Sequence, residues 1–223
     1  MNLDSSTHQL PLARTAGRRV QSVSWVRSLL LAAAFAVGTG LLAQVRLYLP
    51  FTPVPVTGQT LGVLLSGAVL GARRGSLAML AYVVLGIAGV PWFAGGESGS
   101  VAYLLGPTGG YLVAFPLAAW LVGAAQDRFG WACRWRGQLA VMALAMLLVY
   151  SLGASWLAVS LRKTWAEAIA LGVLPFVAGD ALKVALAATA GSLLAPRHCS
   201  SRAPHESPRR DTGLSTEDGH QDP

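Results

Sequence analysis

Apolar residues in this chain fall into six runs, at 25–45, 58–72, 75–90, 111–125, 138–161 and 176–195. Runs of this kind predict helices that cross a membrane, since about 20 apolar residues span the hydrocarbon core. Arg73 and Arg74 divide the second run from the third, and Pro116 inside the fourth is a tolerated kink. A shorter apolar helix is expected over 165–174, leading into Pro175. The pattern therefore predicts an all-α membrane protein of six transmembrane helices occupying 25–195. Residues 1–24 are polar, contain Arg14, Arg18 and Arg19, and carry no cleavable secretory signal. Residues 196–223 lack the apolar content to fold, so both ends read as polar tails, the second disordered.

Two stretches between the runs are irregular. Pro50, Pro53 and Pro55 exclude a regular helix from 46–57. That segment is an extended loop, placed either at the membrane face or folded over the bundle. The second stretch, 91–111, is rich in glycine and holds Trp92, Phe93, Tyr103 and Tyr111. Glycine permits close approach of backbone to ligand, and aromatic rings beside exposed amides suit a flat, partly polar guest. An interfacial loop anchored by Trp92 and Tyr111 is the alternative. A ligand-dependent lid over 91–110 is the corresponding expectation.

Charge then sets the orientation. Only 12% of the residues are charged, against about a quarter in a soluble domain. The net charge of +7 is carried by residues in loops and tails, a placement that speaks for topology rather than for nucleic acid. With both termini cytoplasmic, thirteen of the seventeen basic residues lie on the inner side, among them Arg73, Arg74, Arg128, Arg134 and Arg136. Arg46, Arg162 and Lys163 lie outside. Both irregular stretches and the break before Asp180 then converge on the outer face.

One run alone holds two charges: Asp180 and Lys183, three residues apart and so on one helix face. Pro175 and Gly179 precede them, and a helix starting at Gly179 would place Asp180 at its positive end. The pair is either a self-neutralising structural contact or a polar anchor for a ligand entering the bundle. All four histidines are in the tails, and the chain has no Walker A sequence, so neither a histidine-based catalytic or metal site nor self-driven ATP transport is supported. Cys133 and Cys199 are too few for a disulfide framework.

Five motifs in order carry a resemblance: Pro53-Val-Pro-Val-Thr-Gly-Gln59-Thr60-Leu61, Leu65-Ser-Gly-Ala-Val-Leu-Gly71, Tyr82 through Gly96, Gly106-Pro-Thr-Gly-Gly-Tyr111, and Gly172 through Lys183. Together they resemble the BioY family, the biotin-specific S components of energy-coupling-factor (ECF) transporters, over about residues 30–195. Gly58 stands where that family more often has a larger apolar residue. The resemblance implies a six-helix S-component fold in the bacterial plasma membrane, with an outward biotin pocket. It also implies a T component and ATPase subunits as partners, although some members act without them. Ala32, Ala36 and Gly40, spaced by four, look like the small-residue motif that docks on the T component. Biotin is a transported ligand and no cofactor is implied. Asp180 would accept from the ureido N–H groups, while Lys183 would donate to a carbonyl or pair with Asp180. Gly95, Gly96, Gly109 and Gly110 would present amides. Trp92, Tyr82 and Tyr111 would wall the bicycle, and Gln59 would add an amide contact or a structural hydrogen bond. A stand-alone secondary transporter of biotin or a similar vitamin, a membrane enzyme and a scaffold are the competing readings.

Overall fold

The computed structural model describes residues 12–96 and 101–194, of which 12–24 by their backbone alone. Both tail expectations, for 1–11 and for 196–223, lie outside the described residues. The elements in order are α1 (Leu12–Gln44), β1 (Arg46–Leu47), β2 (Val56–Thr57), α2 (Gln59–Ile87), α3 (Val101–Leu105), α4 (Gly109–Arg128), a 3-10 turn (Gly130–Cys133), α5 (Trp135–Ser160), α6 (Trp165–Gly172) and α7 (Leu174–Leu194). Among the described residues five helices are long and apolar enough to cross a membrane: α1, α2, α4, α5 and α7. Helix α1 starts at Leu12, so residues 12–24, read as polar tail, are helical in backbone.

One of the five is two segments. Gly71 leaves the helical conformation with φ 79 and ψ 177, a region open in practice only to glycine. The Gln59 amide donates to the Tyr82 hydroxyl at 2.6 Å, and a Cβ on Gly75 would lie 2.7 Å from the Ser66 carbonyl. Both pairs centre on the Leu70–Gly71 bond, so α2 is an antiparallel hairpin with arms at 59–70 and 72–87. The six predicted runs are thus six membrane segments. The reversal falls at Gly71 rather than at the two arginines, because glycine alone adopts the turn backbone while arginine fits the helix that follows. The Asp127 carboxylate accepts from the Ala72 N–H at 3.3 Å and so caps the second arm.

The arms are short. Twelve residues in the first rise about 18 Å, against a hydrocarbon core of about 30 Å. Gln59 and Thr60 therefore begin their helix well below the level reached by the longer spans. The space above them is filled by the 46–57 loop, whose ends pair as a two-residue antiparallel ladder, Arg46 with Thr57 and Leu47 with Val56. The Thr52 hydroxyl donates to the Leu171 carbonyl at 2.7 Å and ties this loop to α6. Of the two placements open from the sequence, the loop folds over the bundle. A continuous core under it contains Leu64, Met79, Phe93, Val122, Met142 and Val149, all essentially inaccessible.

Candidate functional site

A cavity opens at the end of the bundle opposite Arg73, Arg74, Arg128 and Arg134. The loop supplies Val54 and Pro55, β2 supplies Thr57, and the start of α2 supplies Gln59 and Thr60. Helix α4 adds Tyr111 and Phe115, α5 adds Met146 and Tyr150, and α7 adds Phe176, Asp180 and Lys183. Ala94, Tyr103 and Thr108 show that the described parts of the glycine-rich stretch also face it.

Asp180 is 4% exposed and is held by side chains from three elements. Its Oδ1 accepts from the Thr60 hydroxyl at 2.9 Å and from Lys183 Nζ at 2.7 Å. Its Oδ2 accepts from the Tyr150 hydroxyl at 2.6 Å. Lys183 Nζ also donates to the Thr57 carbonyl at 2.5 Å. Burying a carboxylate this deeply requires such company, since an unpaired charge in a low-dielectric interior is costly. A carboxylate has about four acceptor positions and an ammonium three protons. The cluster thus retains about one acceptor position on Oδ2 and one donor on Nζ. That remainder matches a guest presenting an N–H and a carbonyl side by side.

The polar wall continues through Gln59. The Thr57 hydroxyl donates to Gln59 Oε1 at 2.7 Å, and Gln59 Nε2 holds Tyr82. The Tyr111 ring lines the cavity while its hydroxyl donates to the Gly172 carbonyl at 2.7 Å. Helix α7 begins at Leu174, with Pro175 in its first turn, where the missing N–H costs nothing. Asp180 lies almost two turns inside, so the expected contact with a helix N-terminus does not form. Its stabilisation comes from Lys183 and the two hydroxyls instead.

Four of the ten residues assigned to the ligand from sequence therefore meet at one cavity: Asp180, Lys183, Tyr111 and Gln59. The other six are placed elsewhere. Tyr82 is fully buried between α2 and the Trp92 backbone. The Trp92 indole donates to the Tyr82 carbonyl at 3.0 Å and packs on Gly40. Gly109 and Gly110 are buried where α4 meets Leu104 and Trp156, and a Cβ on either would collide with them. They serve close packing. Gly95 and Gly96 form a turn with positive φ, and Gly96 is exposed. The stripe read as a docking motif lies against the core. Ala36 is 1% exposed in the core, Gly40 meets Trp92, and Ala32 packs against the same core. This stripe faces inward because α1 must approach α2 closely. On the other side of α1, Ala33 and Ala34 are exposed and Gly38 is half-buried, and Ala34 and Gly38 border a groove with Gly62 and Leu65.

Sequence reasoning missed Tyr150 and Thr60, the two hydroxyls on Asp180. Thr60 had a visible signal, a hydroxyl beside Gln59 at the start of a run. Tyr150 had only its own phenol in an otherwise apolar span.

The profile of the BioY family matches residues 13–198. A probable biotin transporter BioY from Pyrococcus horikoshii is 39% identical over 159 residues, 70% of this chain and 89% of the relative. The biotin transporter BioY of Rhizobium etli is 36% identical over 174 residues, 74% of this chain and 91% of the relative. Among solved structures, the S-component for biotin from an ECF-type ABC transporter superposes with a TM-score of 0.71 at 27% identity. That match covers 77% of this chain and 92% of the other.

Proposed function

Since the chain belongs to the BioY family, we propose that it is the biotin-binding S component of an ECF-type transporter, a multi-pass protein of the plasma membrane. The observation that carries this reading is the Asp180–Lys183–Tyr150–Thr60 cluster, a charged and hydrogen-bonded patch in a cavity whose other walls are largely apolar and aromatic. A ureido N–H meets the remaining acceptor position of Asp180, and the ureido carbonyl meets the remaining proton of Lys183. Phe115, Phe176, Met146 and Tyr111 receive the flat bicycle. Discrimination follows from the same accounting. A guest without the N–H–carbonyl pair buries the cluster without satisfying it.

The cavity faces outward in this reading, because the arginines at the opposite end favour the cytoplasmic side. No catalytic step is assigned and no cofactor is required. A T component and ATPase subunits supply the energy, and the S-component likeness favours this dependence over stand-alone secondary transport. The outward groove at Ala34 and Gly38 replaces the inward stripe as the surface for the T component, since small residues admit a second helix.

Equilibrium binding of biotin to the purified full chain in detergent tests the proposal. Saturable one-site binding is expected, with an analogue methylated on both ureido nitrogens bound at least about tenfold more weakly. A folded chain that binds no biotin overturns it.

A further inference from the structure

A second hollow lies on the flank of the bundle between α5 and α7. Leu139, Ala143 and Leu147 border it from α5, and Val177, Ala181 and Val184 from α7. Its inner wall is made by Met146, Tyr150 and Asp180, which also line the cavity described above. The wall between ligand cavity and membrane is therefore one side chain thick. Both helices are membrane spans, and around the groove they present Leu144, Leu182 and Leu186, each more than half exposed.

The geometry points to a single phospholipid bound here, one acyl chain in the groove and its headgroup at Arg136. Arg136, Leu139, Ala143, Met146 and Tyr150 follow one another at steps of three and four, so they form one stripe of α5. A cation thus stands at one end of the stripe and the Tyr150 hydroxyl at the other. From Leu139 to Tyr150 the stripe rises about 16 Å. That is close to half of the ~30 Å hydrocarbon core, the depth one leaflet's chain covers. At the same end the Trp135 ring is half exposed, and its indole N–H donates to the Thr189 hydroxyl at 3.2 Å, joining α5 to α7 at headgroup level. Arg136 is exposed, with a stem long enough to reach a phosphate. A partner helix fits less well. Close helix approach needs a broad floor of small residues, and here only Ala143 and Ala181 are small, while leucines and valines rim them. An acyl chain in this place also keeps water from the outer side of Tyr150 and Asp180.

The test uses the full chain in vesicles of phosphatidylcholine and phosphatidylglycerol, with a tracer phosphatidylglycerol bearing a diazirine midway along one acyl chain. After illumination, mass spectrometry maps the labelled residues. Labels are expected to concentrate on 139–150 and 177–184, at least about fivefold over the equally exposed Leu30 and Leu41 of α1. Ala143→Phe combined with Ala181→Phe fills the groove and abolishes that preference. Arg136→Gln lowers capture of the anionic tracer about fivefold and leaves a phosphatidylcholine tracer nearly unchanged. Labelling of the unaltered chain in simple proportion to exposure overturns the site, and that map decides even where the filled variant fails to fold. Photocrosslinkers at 143 and 181 that capture a protein instead of lipid in native membranes overturn it as well. None of these readouts depends on biotin binding.

Discussion

At the scale of single residues, everything turns on Asp180. Its partners come from α2, α5 and α7, so the carboxylate braces three elements while it faces the cavity. Asp180→Asn keeps the size and removes the charge. Biotin affinity is expected to fall about tenfold to a hundredfold, the loss of a hydrogen bond to a charged group, with the protein remaining monodisperse. Unchanged affinity in a folded variant removes Asp180 from the ligand's partners. Tyr150→Phe leaves Oδ2 with no donor while the charge remains. A stability loss of about 1–3 kcal/mol is expected, read from thermal unfolding in detergent. The three-residue spacing of Asp180 and Lys183 was legible in the chain. Tyr150, thirty positions earlier, was not, because a match in depth between two antiparallel helices leaves no local trace.

Among the elements, the α2 hairpin is the most exacting. Gly71→Ala forces a Cβ into a backbone region that other residues avoid, and a cost of about 1–3 kcal/mol is expected. Gly38→Ala, with open space around the site, is expected to be neutral or slightly stabilising in the same melt. Helix α6 offers a pH test. The Thr164 backbone N–H, the Lys163 ammonium and the Thr164 hydroxyl hold the Glu167 carboxyl down to about 2, well below its ordinary value. The lowered value belongs to the folded state. The contribution of this capping box is therefore complete above the ordinary value of 4.5 and is lost as pH falls toward 2. Hydrogen exchange at the first turn of α6 is expected to quicken over that interval, and Glu167→Gln to flatten the response. A turn equally protected at both ends of the interval counts against the assignment.

For the whole molecule, the question is which face of α1 meets a partner. Ala36 is in the core, so Ala36→Leu overpacks it at a cost of about 1–3 kcal/mol and weakens biotin binding along with the fold. Gly38 borders the outward groove. Gly38→Leu is expected to leave folding and biotin binding intact and to reduce ATP-driven uptake in cells that carry the partner subunits. Uptake at the normal rate removes this face from the docking surface.

Six membrane segments, the loop interruptions and the intramembrane Asp180–Lys183 pair were all determined by the sequence alone. The reason is that burial of long apolar runs and the cost of charge in hydrocarbon are properties of composition and spacing along one chain. Gly71 as the point of reversal was within reach, but two adjacent arginines were the louder signal. Only the tertiary structure decided that Tyr82, Trp92, Gly109 and Gly110 build the scaffold while Thr60 and Tyr150 meet the carboxylate. It also decided that Ala36 and Gly40 face inward and Gly38 outward. On a helix that is apolar all round, no polar face marks which side is core, so the rotation of each segment is set only by the shapes that pack against it.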